Sequence, residues 1–260
     1  MTLGICVSLK NRSNLIVKQE DPIATYKFIA NYIKPAPTHV EPPTTLPSGD
    51  IQLFLFPRMI ASLQSIRKAG DDWHIIIVDY TSTDIDVGLF LQKALPDIPY
   101  TLITKNETFN RGGGLDAAAE AAKTMGIDSL FFCDSDMIFT EHHIFDQAYD
   151  ALSKNKIYYP ICFSYTTSKH THGFWRDSGY GMVFMTTAMY FTTDRWRNNI
   201  TWGWEDRALH DTLDPALVVR TRANGYYHQW HPNSSEFKTK EYAVKTYMGS
   251  SSAVPRVSKE

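Results

Sequence analysis

Short, largely apolar runs that end in polar residues recur along the first half of the chain, and they constrain the fold more than any other feature of the sequence. Three of them, Leu3–Leu9, Trp73–Asp79 and Leu130–Cys133, have the length of a buried strand. Stretches that suit helices lie between them, an amphipathic one at 58–68 and an alanine-rich one at 115–125. Strands that alternate with helices predict an α/β fold with a mostly parallel sheet. The functional site is then expected where the carboxyl ends of the strands meet.

The second half of the chain has a different pattern. After Asp136 a helix is predicted near 144–153, and a stretch rich in aromatic residues and histidine follows, in which we expect short antiparallel strands packed against the first half. No repeat or linker divides the 260 residues, so a single domain is expected, with residues 249–260 as a frayed tail. Five prolines within 35–47 exclude a helix or a central strand there and predict an inserted loop.

Composition and charge narrow the range of partners. The chain has 26 Lys and Arg against 28 Asp and Glu, a net charge of -2, so it lacks the basic field that would favour a nucleic acid partner. No apolar run approaches the ~18 residues of a membrane span, and Met1–Ser8 has no features of a secretory signal, so we expect a cytoplasmic chain. The cysteines, at 6, 133 and 162, are widely spaced and favour buried thiols over a disulfide or a zinc site.

The first candidate for chemistry is the pair Asp134 and Asp136, directly after a buried strand. In an extended segment residues i and i+2 point the same way, so the two carboxylates could converge on one divalent cation. Such a cation could neutralise a diphosphate. Taken alone, the pair fits equally well as two turn-forming aspartates at a strand end.

The second candidate is the pair His228 and His231. Within a turn this spacing lets both imidazoles reach one metal ion. Imidazole together with carboxylate ligands favours Mn2+, with Mg2+ as the alternative. Taken alone, an aromatic-rich edge loop with incidental histidines is the simpler interpretation. The histidines at 142–143 and 170–172 are expected to be ordinary loop or helix-surface residues.

The third candidate is the segment Trp202–Asp206, in which Glu205 and Asp206 follow two tryptophans. A carboxylate beside apolar rings is poorly solvated, and this makes it a stronger base. The acids also precede a helix-like segment, so capping of a helix N-terminus is the alternative interpretation. The two roles are compatible.

The fourth candidate is Arg111, which stands between Phe109 and the three glycines Gly112–Gly114. These glycines are predicted to open the helix at 115–125. An arginine beside exposed backbone amides and a helix N-terminus could cradle a diphosphate. The glycines alone are a weak signal, because they lack the Lys-Ser/Thr of a P-loop and the spacing of a dinucleotide fingerprint.

Seven segments, including these four candidates, stand in an order that resembles one known family. The chain is similar to the chondroitin N-acetylgalactosaminyltransferases, which belong with the β-1,4-galactosyltransferases among the inverting GT-A enzymes. The similarity extends over about residues 75–235. Its seven segments are Val78–Asp84, Phe109–Leu115, Leu130–Asp136, Tyr159–Ser164, Gly173–Met182, Trp202–Asp206 and His228–His231.

The resemblance implies a single, Rossmann-like GT-A domain over residues 1–248. A nucleotide-binding half would extend over about 1–140 and an acceptor half over about 141–248. It also implies an inverting, metal-dependent transfer of a sugar from a UDP-sugar to a hydroxyl of a saccharide acceptor. Mn2+ is the implied cofactor, with Mg2+ as the alternative.

The resemblance further implies roles for individual residues. Asp136, His228 and His231 match the metal ligands, Asp206 the catalytic base, and Glu205 the neighbouring acid that holds a sugar. The residues implied to contact the nucleotide are Lys10, Arg12, Asp79, Phe109, Arg111 and Asp134. Those implied to contact the sugar or the acceptor are Trp175, Gly181, Trp202 and Trp204.

Trp204 departs from the family pattern, which reads Gly-Gly-Glu-Asp where this chain has Gly203-Trp-Glu-Asp206. We hypothesise that the indole narrows the sugar pocket, so that donors with an N-acetyl group are excluded in favour of glucose, galactose or a pentose. The alternative is that Trp204 points into the core and only fills space.

Two other classes of function are compatible with these residues. A sugar nucleotidyltransferase could share the sheet and the metal, but it would have no use for a base at 205–206. A non-catalytic saccharide-binding module could use the aromatic second half as a stacking platform. It would bind a glycan with or without UDP and metal.

Overall fold

The structure is a computed structural model that describes residues 1–17, 32–196 and 205–232. Its strands are β1 (Leu3–Leu9), β2 (Leu15–Val17), β3 (Lys34–Pro35), β4 (Thr44–Thr45), β5 (Ile51–Leu53), β6 (Trp73–Asp79), β7 (Tyr100–Thr104), β8 (Ser129–Cys133), β9 (Met137–Phe139), β10 (Ile157–Tyr165), β11 (His172–Trp175), β12 (Val183–Thr186) and β13 (Val218–His228). Its helices are α1 (Leu55–Ile66), α2 (Val87–Ala94), α3 (Arg111–Thr124), α4 (His143–Ser153), α5 (Thr187–Tyr190) and α6 (Glu205–His210), with a 3-10 turn at Pro215–Leu217. The predicted tail at 249–260 lies outside the described residues.

The predicted parallel sheet is confirmed in the first half of the chain. β8, β1, β6 and β7 are neighbours in that order, and all three pairings are parallel. Alternate side chains of β1 face opposite sides of the sheet, so Ile5 and Val7 enter one hydrophobic cluster and Cys6 enters another. Helices α1, α2 and α4 cover the first side and α3 covers the second, which is why these strands are apolar at nearly every position.

The second half of the chain extends the sheet with mixed pairings. β12 pairs antiparallel with β8, β10 antiparallel with β12, and β11 antiparallel with β10. The expectation of short antiparallel strands is wrong for β13, which is long and pairs in parallel with β10 from Ile157↔Val218 to Ser164↔His228. β10 is buried at all nine positions because both of its faces are covered: Tyr158 enters one hydrophobic cluster and Tyr159 another, so its side chains show no alternation between apolar and polar.

The proline-rich segment forms no helix and no central strand, as predicted. β3 lies at the edge of the main sheet beside β11, and β4 joins β5 and β2 in a separate three-stranded sheet. Val40 from this segment packs in a third hydrophobic cluster with Tyr165, Tyr227 and Trp230. The segment therefore packs against the residues around the end of β13.

Helix α3 begins earlier than predicted. It starts at Arg111, with the Asn110 side chain accepting a hydrogen bond from the Gly113 N–H, so Gly112–Gly114 form its first turn rather than a loop before it. Packing requires glycine at position 114, because a Cβ there would lie 2.3 Å from Ser8 Oγ. The glycines let the helix approach β1 closely.

Two further predictions concern burial and membranes. The three cysteines are free and buried, which confirms that they are buried thiols. None of the helices in the described ranges is long and apolar enough to cross a membrane.

Candidate active site

The carboxyl ends of the parallel strands bring distant parts of the chain together. Asp134 and Asp136 follow β8 directly. β12 reverses direction relative to β8, β10 reverses again, and β13 runs parallel to β10. β13 therefore points the same way as β8, and His228 at its end arrives at the same edge of the sheet as the two aspartates.

Asp136, His228 and His231 form a compact cluster. The Nε2 atom of His231 lies 3.1 Å from Asp136 Oδ2, and the Nε2 atom of His228 lies 3.6 Å from Asp136 Oδ1. One nitrogen or oxygen atom from each residue lies within 4.8 Å of the others. All three side chains are at least four-fifths buried.

The donor chemistry of this cluster fits a divalent cation. The Nδ1 atom of His231 is 3.0 Å from the Pro232 carbonyl oxygen, so a proton on Nδ1 can be donated to that oxygen, and this tautomer leaves the Nε2 lone pair available for a metal ion. The Nδ1 atom of His228 is 3.3 Å from Ser164 Oγ. Asp136 Oδ1 is buried and makes no hydrogen bond with any described residue. Such an oxygen beside imidazole nitrogens matches the ligand set of Mn2+ or a similar ion.

Electrostatics keep these ligands in the forms that bind metal. Burial lowers the pKa of His228 to about 3, so its imidazole is neutral near pH 7. Burial alone would raise the pKa of the Asp136 carboxyl, but the hydrogen bond from His231 and the Arg12 guanidinium hold it well below its usual range. The cluster therefore presents one carboxylate and the neutral imidazole of His228.

Asp134 contacts Arg111 and not the two histidines beside Asp136. The chain turns at residues 135–136, so the two carboxylates do not point the same way as they would in an extended strand. The Asp134 carboxylate accepts a hydrogen bond from the Nε of Arg111, at 2.6 Å. The expectation from the sequence that both carboxylates converge on one cation is thus corrected to a single carboxylate, Asp136, facing the histidines.

Arg111 is the first residue of α3 and is the centre of a second cluster. Its Nη2 donates to the Gly181 carbonyl oxygen at 2.5 Å, and its Nη1 lies 3.8 Å from Glu205 Oε1. Its guanidinium also lies over the ring of Trp196, 5.2 Å from the centroid. Burial by itself would lower the pKa of Arg111, but the surrounding carboxylates raise it, so the side chain stays charged. A buried, rigidly held cation therefore faces the edge of the sheet.

Glu205 and Asp206 open helix α6 beside Arg111. Both acids lie in the first turn of this helix, where the helix dipole favours negative charge, and the Asp206 carboxylate accepts a hydrogen bond from the Arg207 backbone N–H at 2.8 Å. Burial raises the pKa of Asp206, and Glu205 raises it further, while Arg111 opposes both. The carboxylate is thus a stronger base than an exposed aspartate. Its place in the first turn of the helix is compatible with this basicity.

The other residues predicted to contact a nucleotide hold the loops at the same edge. Lys10 Nζ donates to the carbonyl oxygens of Tyr80 and Thr81, at 2.6 and 2.8 Å. Asp79 ends β6 and accepts two hydrogen bonds from Ser82. The ring of Phe109 meets Tyr80 edge-on, with centroids 5.2 Å apart. Their roles toward a nucleotide stay predictions.

The residues predicted to contact a sugar are only partly brought to this site. Gly181 is there, and a Cβ on it would lie 3.3 Å from Arg111 Nη2. Trp175 lies on β11, where its ring meets Phe163 edge-on and Arg222 lies 5.4 Å from its centroid. Trp202 and Trp204 lie outside the described residues.

The remaining histidine clusters are structural, but two of their members are not surface residues. His142 is buried, with Nδ1 2.8 Å from Asp146 Oδ1 and Nε2 3.0 Å from Asp71 Oδ2. His170 is buried and stacks on Tyr165 at 4.2 Å. Both lie in loops, as expected, but neighbouring elements bury them, which the sequence did not indicate.

Comparison with known proteins decides the family. A family model for chondroitin N-acetylgalactosaminyltransferase matches residues 89–252, more than half of the chain. The chain belongs to this family. This confirms the resemblance drawn from the seven segments.

Curated members of the N-acetylgalactosaminyltransferase family are much longer than this chain. Human chondroitin sulfate N-acetylgalactosaminyltransferase 2 is 32% identical over 157 residues, which cover 51% of this chain and 28% of that protein. Human chondroitin sulfate synthase 3 is 29% identical over 185 residues, which cover 64% of this chain and 20% of that protein. The chain therefore spans less than a third of the length of these relatives.

Solved structures establish the fold of this member of the family. S. aureus TarS 1–349 in complex with UDP-GlcNAc superposes with a TM-score of 0.57 at 12% identity, covering 95% of this chain and 62% of that one. The mannosyltransferase PcManGT from Pyrobaculum calidifontis, in complex with GDP-Man and Mn2+, gives 0.56 at 10% identity, covering 90% and 58%. Both are GT-A glycosyltransferases, which confirms the predicted fold class.

Sequence reasoning missed two residues of this family member's site. Trp196 is 2% exposed and forms the surface on which Arg111 lies, yet it follows no motif. Ser164 lies beside His228, although the sequence separates them by 64 residues. Its segment, Tyr159–Ser164, did contribute to the resemblance, and that was the only signal for it.

Proposed function

We propose that this chain transfers a sugar from a UDP-sugar to a hydroxyl of a saccharide acceptor, with inversion at the anomeric carbon and with a bound divalent metal. The observation that carries the proposal is the buried cluster of Asp136, His228 and His231 at the sheet edge that also holds Arg111 and Asp206. Family membership and the GT-A fold support the same reaction class.

The metal would be held by Asp136 and the Nε2 atoms of His228 and His231. When bound there, Mn2+ supplies positive charge that offsets the negative charge of a leaving diphosphate. The two imidazole ligands favour Mn2+ over Mg2+. PcManGT is described with Mn2+, which supports this choice.

Arg111 would contribute to binding the diphosphate. Its guanidinium is held by Asp134, the Gly181 carbonyl oxygen and the Trp196 ring, so little conformational entropy remains to be lost on binding an anion. A preorganised cation at the place where charge develops lowers the barrier more than a mobile one.

Asp206 would act as the base. Its carboxylate takes the proton of the acceptor hydroxyl, whose oxygen then attacks the anomeric carbon on the face opposite the leaving UDP. The raised pKa makes the carboxylate a better proton acceptor. A single base is sufficient for inversion, whereas retention through a covalent intermediate needs a second, nucleophilic carboxylate.

The direct test is a donor panel with and without Mn2+. The purified chain is incubated with UDP-sugars and saccharide acceptors, and release of UDP is followed together with thermal shift, since a ligand of the folded state raises its melting temperature. Release of pyrophosphate instead would favour a nucleotidyltransferase. Glycan binding that is indifferent to UDP and metal would favour a saccharide-binding module.

The pH profile of turnover provides a prediction of its own. Because the pKa of Asp206 is raised, the base is lost by protonation at a higher pH than the ~4 of an ordinary aspartate, and turnover should fall as pH decreases through that raised value. The charged groups that face it are Arg111, Glu205 and Asp134. Mn2+-dependent UDP binding measured over the same range separates this effect from protonation of the histidines. An acid limb at an ordinary aspartate value would contradict the assignment.

Two observations point to different donor sugars. The names of the relatives favour UDP-GalNAc, whereas an indole at Trp204 favours a donor without an N-acetyl group. If Trp204 narrows the pocket, Trp204→Gly should increase turnover of UDP-GalNAc relative to UDP-Gal and UDP-xylose. If it fills the core, the variant should instead lose about 3–5 kcal/mol of stability. Turnover of the three donors and the melting temperature of each protein distinguish the two outcomes.

A further inference from the structure

Gln229 stands between the two histidines of the cluster and is 1% exposed. A buried amide is costly unless its polar atoms find partners. Its Nε2 donates to the carbonyl oxygen of Leu55 at 2.9 Å and approaches that of Met137 at 3.4 Å. Its backbone N–H donates to the carbonyl oxygen of Asp136 at 2.9 Å. One residue thus bonds to the segment that carries the metal-ligating carboxylate and to the start of α1.

These bonds matter because the regular strand pairing stops just before Gln229. His228 pairs with Met137 in the β9–β13 ladder and is the last residue of β13. His231 lies beyond the ladder, so its position depends on how the intervening two residues are held. Trp230 packs in the third hydrophobic cluster, and its N–H lies 3.4 Å from the Nε2 atom of His170. The Gln229 side chain provides the hydrogen bond that joins this turn to Met137, the residue after Asp136.

Stability alone does not explain a glutamine at this position. Gln229 Oε1 is buried and has no hydrogen-bond partner among the described residues. An apolar side chain of the same length would avoid the cost of that oxygen. The amide Nε2, by contrast, donates to the carbonyl oxygen of Leu55, at the start of α1, and approaches that of Met137, the residue after Asp136.

We propose that Gln229 is a positioning residue of the metal centre. By tying the turn after His228 to Met137 and Leu55, it sets the distance from the His231 imidazole to the Asp136 carboxylate. This inference rests on the metal site of the proposed function. Residues that orient ligands without touching the ion change metal affinity by roughly 10–100-fold when they are removed.

The test compares Gln229→Met with Tyr158→Phe. The first variant keeps the length of the side chain and removes the donor. The second removes a buried hydrogen bond of 2.6 Å to Gln147 Oε1 at the start of β10, at the opposite end of that strand from Ser164. The Mn2+ dissociation constant of each folded protein is measured by electron paramagnetic resonance of free Mn2+, with and without UDP, together with the melting temperature.

Gln229→Met should bind Mn2+ about 10–100-fold more weakly than wild type, while Tyr158→Phe stays within about twofold even if its melting temperature falls as much. If Gln229→Met binds Mn2+ within about twofold of wild type, the positioning role is wrong, whereas the proposed metal site is not contradicted. Absence of Mn2+ binding to the wild type would overturn the metal site itself. If Gln229→Met does not fold, Gln229→Asn, which shortens the amide by one methylene, is judged by the same criterion.

Discussion

Replacing His231 by alanine is expected to remove metal-dependent UDP binding while the chain remains folded. The His231 imidazole supplies the nitrogen nearest to Asp136, at 3.1 Å from Oδ2, and its loss leaves one imidazole and one carboxylate for the ion. Removing a group that only orients a ligand costs about 10–100-fold in metal affinity, so removing a ligand should cost more than the upper end of that range. Calorimetric titration of UDP with and without Mn2+ measures the effect.

His172→Ala is the matched control for this experiment. The same substitution there removes an exposed imidazole whose nearest polar partner is the hydroxyl of Thr171. It should leave Mn2+-dependent UDP binding unchanged. An unaltered UDP titration in His231→Ala, with a melting temperature near that of wild type, would show that His231 is not a ligand.

Replacing Asp206 by asparagine should separate binding from chemistry. The amide has the shape of the carboxylate but cannot take a proton, so turnover should fall by roughly 100-fold or more, the usual scale for a general base. Affinity for the UDP-sugar should be retained, because Asp136, His228, His231 and Arg111 are intact. Steady-state kinetics together with a UDP-sugar titration test both parts.

Asp211→Asn provides the comparison for Asp206. It makes the same chemical change just after the end of α6, at an exposed carboxylate that pairs with Arg207 at 3.3 Å. Its turnover should stay close to that of wild type. If Asp206→Asn also retained turnover within a few-fold of wild type, the acceptor proton would have to leave by another route.

Local patterns were enough to predict the parallel half of the fold. The bounds of β1 and β6 agree with the predicted strands, because a strand covered by helices on both faces is apolar throughout and its ends are marked by polar residues. The start of α3 was predicted too late. Asn110 caps the helix, and the glycines of the first turn, which have a low helix propensity, are accepted there because a Cβ on Gly114 would clash with Ser8, more than a hundred residues away.

Asp136 directly follows the predicted strand β8, so its place at a strand end could be predicted, whereas the end of β13 at His228 was not. From the residues alone their convergence was one interpretation among others, and only the order of the segments favoured it. Arg111, Asp134 and Glu205 likewise belonged to three separate motifs in the sequence. Their pairings depend on how α3 and α6 pack.

The sequence by itself therefore determined the α/β class, the edge of the sheet at which the site lies and the residue types available there. These follow from periodicity and from the direction of parallel strands, which are local properties. Only the tertiary structure decided that β13 lies parallel to β10. It also decided that Asp134 accepts a hydrogen bond from Arg111 while Asp136 faces the histidines, and that Gln229 donates to the Leu55 carbonyl oxygen. Such pairings join residues far apart in the chain. They are selected by the packing of whole elements, and no short window of sequence encodes them.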